Sequence, residues 1–168
     1  MAKQAKNTQK PQSKVADKPE GIKVITVNRQ AYHDYFVDRT IEAGIALVGT
    51  EIKSIREGHV NLRGSYAIGR KGELWLENAH IAVYEHGNRY NHDPMRNRKL
   101  LLHRREIEQL LSRVEAKGMT LIPLKLYLKG GKAKVEIGVC RGKKLYDKRD
   151  ALAERDIRRE MERTIRTR

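Results

Sequence analysis

Five basic side chains fall within nine residues near the C-terminal end: Arg141, Lys143 and Lys144, then Lys148 and Arg149, with Tyr146 and Asp147 among them. Cations at this density, leaving the mouth of a folded domain, can track a phosphate backbone. A solvated linker is the plainer alternative, and the position at the exit of the last strand weakens it. A second polar stretch, Glu85–Lys99, reads EHGNRYNHDPMRNRK, with four Arg or Lys, three Asn, two His and one Tyr. Its cations suit phosphates, Asn and His offer hydrogen bonds to bases or 2′-hydroxyls, and Tyr can stack on an unpaired base. A loop that long inside a compact domain is usually functional or mobile. On composition alone, a solvated loop fits equally well.

Other chemistry finds less support. The histidines are His33 (followed by Asp34), His59, His80, His86, His92 (followed by Asp93) and His103. No HxxxH pair stands on one helix and no Cys lies near them, so a zinc site has no ligand set. Nucleophile motifs and a glycine-rich phosphate loop before a helix are absent. A metal-free nuclease built from His and carboxylate stays open on residue types. Its only His–Asp pairs are sequence neighbours, which rarely face one common site. We expect no enzyme activity, no metal and no cofactor.

The segment Arg141–Arg168 carries eleven Lys or Arg against six Asp or Glu. It is too polar to bury the apolar area that would offset the entropy of ordering it alone. Ile157, Met161 and Ile165 nevertheless recur every fourth residue, and Glu154/Arg158 and Glu162/Arg166 pair charges four apart. Such pairs add only ~0.2–0.5 kcal/mol each. The pattern describes a tail that becomes helical against a polyanion. The formal charge is +15, with residues 1–20, the tail and the part between all positive. Nucleic acid therefore outranks a membrane as the partner. No apolar run approaches ~20 residues, no secretory core follows the Lys-rich start, and the tail stripe has no Trp or Phe. One Cys, Cys140, excludes an intramolecular disulfide. Its apolar strand setting makes it a small core residue, and a reducing cytoplasm fits.

These groups need a frame. Residues 1–20 read as a disordered basic extension, residues 21–140 as the folded domain, and residues 141–168 as the flexible tail. Asn28 caps a short helix over Arg29–Tyr35. Phe36–Val48 reads as strand, broken at Glu42-Ala43-Gly44 by a bulge or bend. Thr50 has Lys53 three residues on, so a capping box is missing, yet Ile52, Ile55 and Gly58 fit a short helix with a glycine cap. Tyr66–Arg70 and Glu73–Glu77 flank Lys71-Gly72, and Ala79–Tyr84 follows as strand. Ile107, Leu110, Leu111 and Val114 set a helix over Arg104–Lys117, stopped by Gly118. LIPLKLYLK and KAKVEIGVCR flank Gly130-Gly131, a tight hairpin in which Ala133, Val135, Ile137 and Val139 face the core and the alternate residues face water. The fold class is mainly β with flanking α-helices: a small antiparallel barrel of the OB-fold kind plus a basic C-terminal tail.

Several peptides together carry a family resemblance: NRQAYHDYFV, EAGIALVGTEIKSIREGHVNLRGSYA, NRKLLLHRREI, GMTLIPLKLYLKGGKAKVEIGVCRGKK and YDKRDALAERD. The chain resembles the SsrA-binding (SmpB) family, the bacterial protein partner of tmRNA, over residues 22–160. The resemblance implies an OB-like barrel that binds the tRNA-like domain of tmRNA. It further implies delivery of alanyl-tmRNA, with EF-Tu–GTP, to ribosomes stalled on truncated messages, by a monomer in the cytoplasm. It places a C-terminal tail in the decoding centre and empty mRNA channel, helical there, so that the unfinished peptide is tagged for proteolysis. Matching positions for tmRNA contact are Asn28, Arg29, His33, Glu42, Leu101 and His103, the last an Asn in many relatives. Arg141, Lys143, Lys144, Tyr146, Asp147, Lys148 and Arg149 match the root of the ribosome-directed tail, Tyr146 as a stacker on a ribosomal base. Ile157 and Met161 supply its helical stripe. Glu42 could not attract phosphate; it would accept hydrogen bonds from RNA, orient a neighbouring cation, or merely satisfy the turn at Gly44. Leu101 is either an apolar face for a base or barrel core. A ribosomal protein with a similar barrel is the rival from another class.

Overall fold

The structure, a computed structural model, describes residues 21–144. The expectations for residues 1–20 and for Tyr146, Asp147, Lys148, Arg149, Ile157 and Met161 lie outside the described residues. In chain order the elements are β1 (Lys23–Val27), α1 (Arg29–Asp34), β2 (Tyr35–Ile45), α2 (Gly49–Glu57), β3 (Val60–Asn61), β4 (Tyr66–Arg70), β5 (Glu73–Glu77) and β6 (His80–Ile81). A 3-10 turn at Glu85–Tyr90, β7 (Arg98–Leu101), α3 (Arg104–Lys117), β8 (Thr120–Lys129) and β9 (Lys132–Gly142) complete it. Local chemistry explains the boundaries. Asn28 caps α1 with its side-chain oxygen. Gly58 and Gly118, at φ 87° and 57°, end α2 and α3 in the left-handed conformation that glycine adopts without strain. The β4–β5 and β8–β9 turns place positive φ at both central residues, as tight hairpins require.

Three expectations need correction. β2 runs unbroken through Glu42–Gly44, paired with β9 at each position, and its bulge lies earlier, between Val37 and Arg39. Ala79–Tyr84 is strand only at His80–Ile81, which pairs with β3 in a separate two-stranded sheet. Half of a capping box does exist on α2, because the cap is Val48: its N–H donates to Glu51 Oε2 at 2.9 Å.

The main sheet runs β1-β8-β4-β5-β7-β2-β9, and β9 pairs back onto β8. That last pairing closes β8, β4, β5, β7, β2 and β9 into an antiparallel barrel, with β1 added outside on β8. Leu74, Leu76, Leu100, Leu121, Leu126, Val135, Ile137 and Val139 fill its interior. Full burial of a side chain of this size is worth roughly 1.5–3 kcal/mol. A second bulge, between Pro123 and Lys125, shifts the alternation of β8 by one residue. Leu121 and Leu126 can thus both face the barrel, while Ile122 and Leu124 turn outward. There they meet Ala31 of α1 and Cys140 in a small outer core. Gly138, expected on the wet face of β9, is therefore buried beside Cys140. A Cβ on Gly138 would lie 2.8 Å from Leu124 Cδ1, so any larger residue there would make the Leu124 side chain shift.

Candidate nucleic-acid interface

Strand pairing carries three of the anticipated contact residues into one place. β2 changes partner from β9 to β7 near Gly44, which lies opposite Leu101. A Cβ on Gly44 would stand 3.2 Å from Leu101 Cβ, so the glycine serves this close strand crossing. Beyond Leu101 the chain passes His103 into α3, whose Glu106 accepts the His103 backbone N–H at 3.0 Å. The result is a cleft of about 430 Å3 lined by Glu42, Gly44, Leu101, Leu102, His103, Glu106 and Lys134. A neighbouring cleft of about 440 Å3 shares Gly44, Leu101 and Lys134 and has an apolar floor of Ile45, Leu47 and Ile52. Leu101 is 52% exposed between them, so it is not barrel core.

Glu42 is tied to β8 and β9. Tyr127 Oη donates to its Oε2 at 2.5 Å, Lys134 Nζ lies 3.5 Å away and Lys129 Nζ 3.6 Å. The Tyr127 hydrogen bond, aided by the two lysines, holds the Glu42 carboxyl below its ordinary pKa against a weaker opposing effect of burial. Tyr127 is pushed up in turn, by burial first and by Glu42 second. Glu42 does not serve the turn at Gly44. It is an ionised keystone between two lysines.

The second group lies at the other end of the β2–β9 ribbon. Phe36 and Glu42 are six residues apart on β2, roughly 20 Å at ~3.3 Å per residue. Asn28 is buried and its amide is consumed: Nδ2 donates to Leu62 O and Pro123 O at 3.0 Å each, while Oδ1 accepts from Ala31 N–H at 3.2 Å. It docks α1 on the barrel, with both amide hydrogens used. Arg29 is exposed beside a cleft of about 290 Å3, with Gln30, Asn61 and Arg63. His33 Nδ1 and Asp34 Oδ1 are 2.9 Å apart, so these sequence neighbours do pair. The root of the tail is strapped here as well. Lys143 N–H donates to Asp34 O at 2.9 Å, and its Nζ donates to Tyr32 O at 3.1 Å. Arg141 and Lys143 both lie by the Phe36 ring, 5.8 and 4.9 Å from its centroid. Lys144 is exposed at the end of the described chain.

The stretch Glu85–Lys99 is largely structural. Arg98 has no exposure; it donates to Glu51 Oε1 at 2.8 Å and to the carbonyls of Ala79, Pro94 and Arg96. Arg96 clamps both oxygens of the same buried carboxylate. His92 bridges Thr50 Oγ1 and Ile81 O at 3.0 Å each. Asn91 staples the 3-10 turn by exchanging hydrogen bonds with the Tyr84 backbone. Two of the cations read as phosphate contacts thus hold α2 and this loop together, and His92 has a packing role. Burial raises the Cys140 pKa to about 11, so the thiol is inert. The residues that the sequence left unassigned are Tyr127, Lys129, Lys134 and Phe36. Lys134 was visible only on a wet face, Lys129 only within a strand, and Phe36 only as the first residue of another.

Comparison with known proteins places the chain as a whole. A family model described as "SmpB protein" matches residues 25–167. An SsrA-binding protein of Desulfitobacterium hafniense (strain DSM 10664 / DCB-2) is 63% identical over 147 residues, covering 88% of this chain and 94% of its own. The SsrA-binding protein of Geobacillus kaustophilus is 60% identical over 151 residues, covering 90% and 97%. Among solved structures, a chain from "tmRNA-SmpB: a journey to the center of the bacterial ribosome" superposes with a TM-score of 0.63 at 52% identity. That match covers 77% of this chain and 94% of the other.

Proposed function

Because this chain belongs to the SmpB family, we propose that it is an RNA-binding adaptor of trans-translation rather than an enzyme. It binds tmRNA, the SsrA RNA, and acts with it on the ribosome. The observation that carries this reading is identity of 63% and 60%, over about nine-tenths of the chain, to proteins named for binding SsrA RNA.

The geometry supports a division of labour. The cleft of Glu42, Leu101 and His103 offers an apolar wall, a polar rim and a nearby lysine pair. Such a surface suits the folded elbow of an RNA, where unstacked bases expose apolar faces and polar edges beside phosphates. Arg29 and His33 on α1 add an exposed cation and a half-buried imidazole at the other barrel end. On this proposal residues 21–140 grip the tRNA-like domain and residues 1–20 are a basic extension. Residues 141–168 leave α1 as the tail that tests the decoding centre and empty mRNA channel, Arg141 through Arg149 contacting ribosomal RNA and Ile157 and Met161 lying on the helical stripe. The protein acts as a cytoplasmic monomer and travels with alanyl-tmRNA and EF-Tu–GTP. Recovering the protein from its host and sequencing the bound RNA tests the reading. One small RNA enriched over ribosomal RNA supports it. Stoichiometric recovery with all ribosomes and no such enrichment would instead favour a ribosomal protein.

A further inference from the structure

The single Phe of the chain is 44% exposed, and nothing in the role of β2 as a barrel strand requires that. The bulge at Asp38 explains how it comes about. One extra residue shifts the alternation so that Tyr35 and Val37 pack into the outer core under α1, and Phe36 is left outside it. An exposed apolar ring is by itself ordinary. This one stands between two cations of different character. Lys143 is fixed, its backbone and Nζ both bonded to carbonyls at the end of α1. Arg141 lies directly across the strand pair from Phe36, exposed, with no carboxylate partner among the described residues.

We infer that Phe36 is a stacking platform for one unpaired nucleobase of RNA, with Lys143 and Arg141 receiving the phosphates on either side. The magnitudes favour the exchange. An exposed cation–π contact is worth about 0.5–1 kcal/mol, whereas a base stacked on an aromatic ring is worth about 1–3 kcal/mol. A base can therefore displace Arg141 from the ring, and the released guanidinium regains a phosphate oxygen, its preferred bidentate partner. Lys143 need not move. The inference deepens the reading of the chain as an RNA adaptor, and rests on it for the class of ligand. The base could belong to tmRNA or to ribosomal RNA, since both offer the same chemistry.

The test uses the full chain and a single-stranded RNA hexamer with one adenine among uridines. In Phe36→Trp, saturating hexamer should quench the new indole, while the wild-type emission from Trp75 stays unchanged. Phe36→Leu keeps an apolar side chain and should lower hexamer affinity at least about fivefold, the low end of one lost stack. Phe36→Trp should retain that affinity. Absence of quenching at saturation overturns the platform, and so does unchanged affinity in a Phe36→Leu protein with a wild-type melting temperature. Repeating the titration with tmRNA and with small ribosomal subunits assigns the base: affinity lost for only one of them names its source. If the wild-type protein does not bind tmRNA, the adaptor reading fails, while the hexamer quenching still decides the platform.

Discussion

A carboxylate on a surface proposed to receive RNA raises a question of sign. If only net charge mattered, removing Glu42 would tighten RNA binding, because a negative charge near phosphate costs Coulomb energy. The structure gives it another task, since Glu42 gathers Lys129, Lys134 and the Tyr127 hydroxyl at one corner of the cleft. Glu42→Gln keeps an acceptor for Tyr127 and lets both lysines go. We expect tmRNA affinity to fall several-fold, measured by filter binding at fixed salt; a rise would mean that Glu42 acts only through its charge. His103→Ala, in the same cleft, should also weaken tmRNA binding without shifting the melting temperature, because the residue is exposed and its capping contact uses the backbone N–H. The sequence made Glu42 and His103 legible through family likeness and left the lysines unassigned. Tyr127, which meets Glu42 beside them, is 85 positions away from it, a pairing that no local pattern encodes.

At the scale of elements, hairpins and helices were readable where one residue type forces one conformation. Gly130-Gly131 and Lys71-Gly72 marked their turns, and Gly58 and Gly118 ended their helices. The bulge near Leu124 had Pro123 as its only signal. The one at Asp38 was not readable, because no glycine or proline marks it and the alternation resumes on either side. Nor was the fate of Arg98. Its basic side chain belongs to the interior only because Glu51, 47 positions away, arrives on α2. Burial opposes the charge on Glu51, but the Arg96 hydrogen bond, the Val48 N–H and Arg98 outweigh it and hold its pKa below the usual 4.5. A depressed carboxyl pKa contributes stability that is present above the unfolded value and is lost as pH falls through the folded one. Glu51→Gln should therefore destabilise the protein at pH 7 by about 3–5 kcal/mol, the usual cost of stranding a buried charge. The gap from wild type should narrow below about pH 4.5. Denaturant melts across that range measure it, and a gap independent of pH would show that the charge on Glu51 is not what holds α2 to the loop.

For the whole molecule, the proposed function assigns two tasks to the two ends of a single ribbon. Near one end of β2 lies the Glu42 cleft, and at the other the chain leaves through Lys143, strapped to α1. That strap decides where the protein can be cut. Ending the chain at Arg141 would remove Gly142 from β9 and Lys143 from α1, mixing damage to the domain with loss of the tail. Ending it after Lys144 keeps every described element. The decisive measurement is peptide tagging on ribosomes stalled at the end of a truncated message, with the chain ended after Lys144 set beside the full chain and tmRNA affinity measured in parallel. The expected result is near-normal tmRNA affinity with tagging reduced to background. Tagging at the full-length rate by the shortened protein would contradict the division between a gripping barrel and a probing tail.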